Sequence, residues 1–223
     1  AGVGYTGMRI RGVDPTRTNV TVNGIPLNDS ESHGVFWVNM PDFSSSVGDI
    51  QVQRGVGTSA NGAAAFGASI NINTNKVQKD AYGVIDNGYG SVNTWRHTVK
   101  AGTGLINDKF SLDARLSKIS SDGYIDRASS DLKSFYLAGT WQGKKSTLTA
   151  NIFSGREKTY QAWYGVPTTY LDTNRTYNPY NYKNEVDDYQ QSHYQLHYVY
   201  NANKNFKLNA SLHYTRGLGY FEQ

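Results

Sequence analysis

The chain has 223 residues, of which 38% are hydrophobic, 13% aromatic and 18% charged, and its 22 basic and 18 acidic residues give a net charge of +4. A mean hydropathy of -0.59, with no apolar run near about 18 residues, excludes a protein that crosses a membrane by helices. It leaves open a membrane β-barrel, whose strands need only alternate residues apolar. The aromatic content argues against disorder, the charge forms no basic stripe of the nucleic-acid-binding kind, and the lack of cysteine rules out disulfides, thiolate metal sites and a Cys nucleophile.

Ala1-Gly2-Val3-Gly4-Tyr5 is neither an initiator nor a signal peptide, so the chain is expected to begin inside a longer polypeptide. Gly2-Val3-Gly4-Tyr5-Thr6-Gly7 matches G-x-G-x-x-G, but phosphate binding needs a strand before it and a helix after it. Here a strand-like run, Met8-Arg9-Ile10-Arg11, follows, which argues against a nucleotide site. To about residue 76 the sequence is Gly-rich. Met8–Arg11, Asn19–Val22, Asp49–Gln53 and Ala68–Ile72 read as short strands between turns, and Ser44–Val47 as a single short turn.

The texture changes between Lys76 and Tyr82. After a strand at Tyr82–Tyr89, long segments alternate apolar and polar residues. Phe110, Leu112, Ala114 and Leu116 share one parity, against Ser111, Asp113, Arg115 and Ser117. Phe135 to Trp141, Leu148 to Ile152, Tyr194 to Tyr200 and Phe206 to Tyr214 repeat the pattern, and Trp95, Val99 and Ala101 do so around His97. This is strand periodicity, and it predicts about seven strands.

A soluble sandwich or barrel and a lipid-facing barrel both alternate in this way. Three features favour lipid. Several strands run near ten residues, the length that crosses a bilayer at a tilt, where soluble strands are usually shorter. Tight connections (Asn107-Asp108, Gln142–Lys145, Asn201–Asn205) alternate with increasingly long ones at 91–94, 120–133 and 156–188, the short-turn, long-loop asymmetry of outer-membrane barrels. Phe110, Trp141, Tyr200 and Phe206 sit on the apolar parity beside the short turns, where an interfacial aromatic girdle belongs. Seven strands do not close such a barrel, and open edges in lipid are costly, so further strands are expected.

No constellation suits catalysis, a resident metal or a cofactor. Asp86-Asn87-Gly88 is only a scrap of a calcium loop. His193 and His197 would lie about 13 Å apart on a strand, too far to share a metal. Asp187-Asp188 beside Glu185 could bind a cation, but a solvated loop is the simpler reading. The sharper signal is the order of motifs in residues 7–76: Arg9-Ile10-Arg11-Gly12, Val22-Asn23-Gly24-Ile25-Pro26-Leu27, Ile50-Gln51-Val52-Gln53-Arg54-Gly55, the Gly/Ala-rich stretch to Phe66-Gly67, and Ile70-Asn71-Ile72-Asn73-Thr74. This resembles the C-terminal part of the plug domain of TonB-dependent outer-membrane receptors, followed by their first barrel strands. Asn23, Gln51 and Val56 stand where the family usually has Asp, Glu and Pro, and Phe66 where it has Tyr. The 156–188 region also resembles members from Bacteroidetes-type bacteria.

The resemblance implies an all-β chain: a plug segment at 1–76, then at 77–223 about seven antiparallel strands of a large barrel (roughly 22 strands in plugged transporters), with extracellular loops near 91–94, 120–133 and 156–188. It implies active import of a scarce ligand, most often a ferric siderophore or haem, driven by TonB through an N-terminal segment absent from this chain. The alternatives are a surface binding or assembly component, with the barrel anchoring a lipoprotein partner, and a soluble lectin-like sandwich. By motif position Arg11 and Arg54 are the plug arginines that lock to barrel glutamates, a pairing that suits guanidinium. The plug apices map to Asp14, Thr16 and Arg17 and to Asn61 and Phe66, with His33 and Trp37 in the 28–37 insertion. Tyr160, Trp163, Tyr164, Tyr177 and Tyr180 crowd the longest loop, and rings at that density suit ligand capture.

Overall fold

The computed structural model describes residues 3–55 and 66–223. The chain divides into two compact units, one of Thr6–Trp37 with Phe43–Lys76 and one of Ala1–Tyr5, Val38–Asp42 and Val77–Gln223.

The first unit is built on four strands: β1 (Thr18–Val22), β2 (Ile25–Pro26), β3 (Asp49–Arg54) and β4 (Ala68–Asn73). Their order in the sheet is β2-β1-β4-β3, with β1 parallel to β4 and the other pairs antiparallel. Val20, Val22, Ile25, Ile70, Ile72 and Phe43 are buried. β1 is buried along its whole length, as expected of a central strand paired on both sides. Asn23 and Gly24 both have positive φ and close β1 onto β2 by the two-residue turn that such dipeptides favour. The Asn23 amide donates to Thr74 Oγ1 at 2.9 Å, and its Oδ1 accepts from the Thr74 backbone N–H at 2.9 Å. A carboxylate could not supply the first of these bonds. Phe43–Ser46 forms the expected short turn. Met8–Arg11 is not a strand. Arg11 (φ 54°) and Gly12 (φ 76°) are left-handed, and Val13 N–H donates to Ile10 O, so the segment turns back instead of extending.

The second unit carries a seven-stranded antiparallel meander in strict chain order: β5 (Tyr82–Gly90), β6 (Thr94–Gly102), β7 (Phe110–Ser121), β8 (Ser130–Gln142), β9 (Ser146–Tyr160), β10 (Val186–Asn203) and β11 (Phe206–Phe221). β9, β10 and β11 reach 15, 18 and 16 residues, several residues beyond what a bilayer crossing needs. The extra length of β9 and β10 lies on the long-loop side, and the connections there shrink to 122–129 and 161–185.

The two faces of this sheet are inverted relative to those of a soluble protein. Leu112, Leu116, Phe135, Leu137, Trp141, Leu148 and Leu196 are exposed, while Ser111, Arg115, Ser117, Thr140, Asn151, Glu157 and Gln195, on the opposite parity, are buried. Along the apolar face, Phe110 pairs with Trp141 and Trp141 with Leu148, so the aromatic row beside the short turns is continuous across strands. An apolar face turned outward over polar residues is the arrangement that lipid demands.

Leu137 lies four residues from Trp141, near the middle of the apolar band. Leu137→Arg in the complete barrel is expected to cost about 2–4 kcal/mol, as for a cation at the bilayer midplane, measured by denaturant unfolding in lipid vesicles. A cost below about 0.5 kcal/mol, typical of an ordinary exposed surface position, would contradict a lipid-facing location.

Candidate functional site

Two surfaces carry the candidate ligand contacts, one in each unit. In the first unit they gather at one end of the four-stranded sheet. Thr18, Ala68 and Arg54 lie abreast in register, Gly67 N–H donates to Arg17 O, and Gly55 N–H donates to Gly67 O. This brings the Asp14–Arg17 turn, Phe66 and Arg54 to the same edge. A side chain at position 67 would strike Val13 Cγ1 at 2.5 Å, so a glycine permits the close approach. Asn28 reaches the same end, accepting from Val20 N–H at 2.8 Å and donating to the carbonyls of Thr18 and His33 at 2.9 Å.

The Asp14 carboxylate accepts from Thr16 N–H and Thr16 Oγ1 at 2.9 and 2.7 Å. It is held below the usual carboxylate range chiefly by those bonds, with Arg9 and Arg17 adding to the effect. Asp14 and Thr16 thus shape the turn, while Arg17 and Phe66 project to solvent, Phe66 with 69% of its surface exposed. His33, with φ 58°, sits exposed at the tip of a loop closed by Asp29, and Trp37 is half-buried. Arg11 and Arg54 are both exposed. Asn61 lies outside the described residues. The arginines at this end give it a positive character suited to anionic ligands.

In the second unit, the 161–185 loop is pinned from beneath. Tyr160 is buried, and its hydroxyl donates to Tyr182 O at 2.7 Å. Arg127 donates to the carbonyls of Asn178 and Tyr180, and the Asn178 amide donates to Asp126 O and Gln161 O. On this frame the rings form two groups. Tyr164 stacks on Tyr180 at 5.5 Å, while Trp163 meets Tyr180 and Phe221 edge-on at 6.4 and 6.3 Å. Tyr170 stacks on Tyr177 at 4.3 Å. Tyr164 remains 65% exposed and Trp163 is also exposed. Phe221, at the end of β11, completes the first group. Its sequence context is that of a strand end, which carries no sign of a place in a loop cluster.

The same unit contains a polar centre that sequence spacing does not reveal. Val38–Asp42 lies on the polar face of the meander. Asp42 Oδ2 accepts from Thr98 Oγ1 and Ser117 Oγ, each at 2.6 Å, and Arg115 Nη1 donates to Asp42 O at 2.6 Å and to Ser117 Oγ at 2.8 Å. The side chains of Arg115 and Asp42 are 1% and 3% exposed. Ser134 Oγ donates to Pro41 O at 2.6 Å, and a Cβ at Gly155 would collide with Asn39 O, so this strand glycine lets the segment lie flat. Arg115 in the sequence is one polar-parity residue among several, and its partner is 73 residues away.

Residues 1–69 match the TonB-dependent Receptor Plug Domain family. Among solved structures, the chain is similar to the ferric citrate transporter FecA in its unliganded form, with 19% identity and a TM-score of 0.81 over 99% of this chain and 35% of that one. It is similar to the open form of the ferric-catecholate import receptor Fiu from E. coli K12, with 17% identity and a TM-score of 0.73 over 95% and 33% of the two chains. It is also similar to the siderophore receptor PiuA from Acinetobacter baumannii, with 14% identity and a TM-score of 0.76 over 97% and 32%. At these identities the likeness is one of fold, and the chain spans about a third of the length of each structure. No curated protein sequence matches it.

Removing one partner from the buried centre leaves an uncompensated charge, so Asp42→Ala is expected to destabilise the receptor by roughly 3–5 kcal/mol. Asp42→Ala with Arg115→Met should recover a large part of that loss in denaturant unfolding. An additive double variant would contradict the coupling.

Asp29 Oδ1 accepts from Glu31 N–H, Ser32 N–H and Ser32 Oγ at 3.1, 2.7 and 3.0 Å, and these bonds lower its pKa from the ordinary value of 3.8. A depressed folded pKa means that the loop's extra stability is present above 3.8 and is lost as pH falls through the lower folded value. Amide-exchange protection at Glu31 and Ser32 should follow that course in the parent, and Asp29→Asn should remove the pH dependence.

Proposed function

We propose that this outer-membrane chain, with a TonB-dependent receptor plug domain at residues 1–69 and the strand architecture of those receptors after it, is part of an active importer of an anionic iron chelate, in the first instance a ferric siderophore. In this reading TonB drives uptake through a segment N-terminal to this chain, and strands beyond the seven described here close the barrel. The observation that carries the proposal is the braced aromatic group at the long-loop end, Trp163, Tyr164, Tyr180 and Phe221. Rigid rings held open to solvent give contact area at small entropic cost. The positive plug end, with Arg9 and Arg17 beside Asp14, supports an anionic ligand over a neutral sugar, and the planar rings leave haem as the second candidate.

Arg11 and Arg54 are proposed to lock the plug to barrel glutamates outside this chain. Both are exposed, as residues awaiting such partners would be. Arg54→Ala in the complete receptor is expected to impair uptake or raise leakage while preserving surface binding of the ligand. Uptake equal to the parent would remove the lock role.

Binding is tested by the double variant Trp163→Ala, Tyr180→Ala in whole cells under iron starvation. Loss of two ring anchors should weaken capture of the cognate ferric siderophore roughly ten-fold or more, with haem binding as the parallel arm. Unchanged capture of every chelate tried would move the ligand away from this loop. Binding without any energised uptake in the parent would favour a surface binding or assembly component.

A further inference from the structure

The net charge of the chain is concentrated at one end of the meander. The short connections and the residues beside them, 77–81, 103–109, 143–145 and 202–207, carry Lys79, Lys109, Lys144, Lys145, Lys204 and Lys207 against Asp80 and Asp108. That is six of the chain's 22 basic residues and two of its 18 acidic ones, a net +4, and the 16 of each sign left elsewhere cancel. The long connections at 91–93, 122–129 and 161–185 hold three basic residues and four acidic ones, so the two ends of the sheet differ in sign.

Backbone bonds at three of these lysines stitch the short connections into one rim. Lys79 O accepts from Leu105 N–H at 2.9 Å, Lys109 O from Gln142 N–H at 2.7 Å and Lys145 O from Asn201 N–H at 2.7 Å. Neighbouring turns are two strands apart, about 10 Å, so the rim offers lysines at each step. All six are exposed, and no ion pair among the described residues uses any of them. Lys145 Nζ donates to Ala202 O at 3.0 Å, which draws the last two turns together.

The aromatic row fixes the depth of this rim. Phe110 follows Lys109, Phe206 precedes Lys207, and Trp141 lies three residues before Lys144; all three rings are exposed. Such rings mark the membrane–water interface, and short turns lie on its periplasmic side. The lysines are therefore level with, or just beyond, the phosphates of the inner leaflet. They are strung along the sheet edge instead of gathered into a patch, which suits small mobile head groups better than the rigid face of an acidic protein. A zwitterionic head group would gain little from them.

We infer that this rim gathers anionic phospholipids of the periplasmic leaflet, with head-group phosphates on the short-turn lysines and acyl chains along Phe110, Trp141 and the apolar band behind them. The inference rests on the lipid-facing position of this sheet face and is independent of what the receptor imports.

The test places a fluorophore on Ser146→Cys of the complete receptor, next to Lys145 and on the parity of Leu148. The receptor is reconstituted in phosphatidylcholine vesicles, and quenching by brominated phosphatidylglycerol is compared with quenching by brominated phosphatidylcholine. The parent at low salt should prefer the anionic lipid roughly five-fold or more, about the effect of one lysine near a charged surface. The preference should fall to about one in the variant Lys109→Gln, Lys144→Gln, Lys145→Gln, Lys204→Gln, and should weaken at high salt. Lys144→Arg, Lys145→Arg should keep it, and heat-resistant migration of each barrel on gels separates a lost preference from lost folding. Equal quenching by the two lipids in the parent, or an undiminished preference in the folded four-Gln variant, would overturn the proposal. A parent indifferent to lipid charge that binds purified cell wall through the same lysines would overturn it too, and assign the rim to the wall. None of these readings depends on uptake, so a failed import assay leaves them intact.

Discussion

A sheet in lipid must satisfy every backbone polar group within itself and turn its apolar side chains outward, because the bilayer core offers no hydrogen-bonding partner. The meander β5–β11 is organised by that rule. Its ladders run unbroken from Tyr82 to Phe221, apart from one irregularity at Asn201–Asn203. Its exposed face is the apolar one. The polar face then needs partners of its own, since buried polar groups are costly unless bonded. Val38–Asp42 supplies some of them, with Asp42 serving Thr98, Ser117 and Arg115 together.

A centre of this kind suits a removable contact better than an apolar seal would. Its bonds are strong while water is excluded, and each could be exchanged for a bond to water if the segment were drawn off the sheet. The polarity is the reverse of the lock expected from motif position, because the carboxylate comes from the 38–42 segment and the guanidinium from a barrel strand. Both arrangements use arginine, whose forked donors satisfy several acceptors at once.

The architecture was legible because period-two alternation is imposed by the two faces themselves. The Phe110–Leu116 pattern reports the lipid face directly, and Asn23-Gly24 reports its own turn. The candidate ligand residues were legible only as types. Asp14 and Thr16 prove to bond each other, and Tyr160 proves to be a buried brace, because neither role is visible without the neighbouring backbone. Met8–Arg11 misled, since a run of alternating residues says nothing of the left-handed pair at Arg11-Gly12 that ends it. The Asp42–Arg115 centre was invisible because its partners are far apart in sequence. The lysines of the short turns are plain in the sequence, but only the backbone bonds between consecutive turns show that they form one rim.

The central claim is that one face of the meander meets lipid and the other does not. The chain's lack of cysteine makes single-cysteine labelling of this region clean. A polarity-sensitive fluorophore would be placed in the complete receptor at Leu196, and separately at its neighbour Gln195, and quenched with lipids brominated on their acyl chains. Strong quenching at 196 with little at 195 is the result this structure predicts. Equal quenching at both positions, or none at 196, would contradict it.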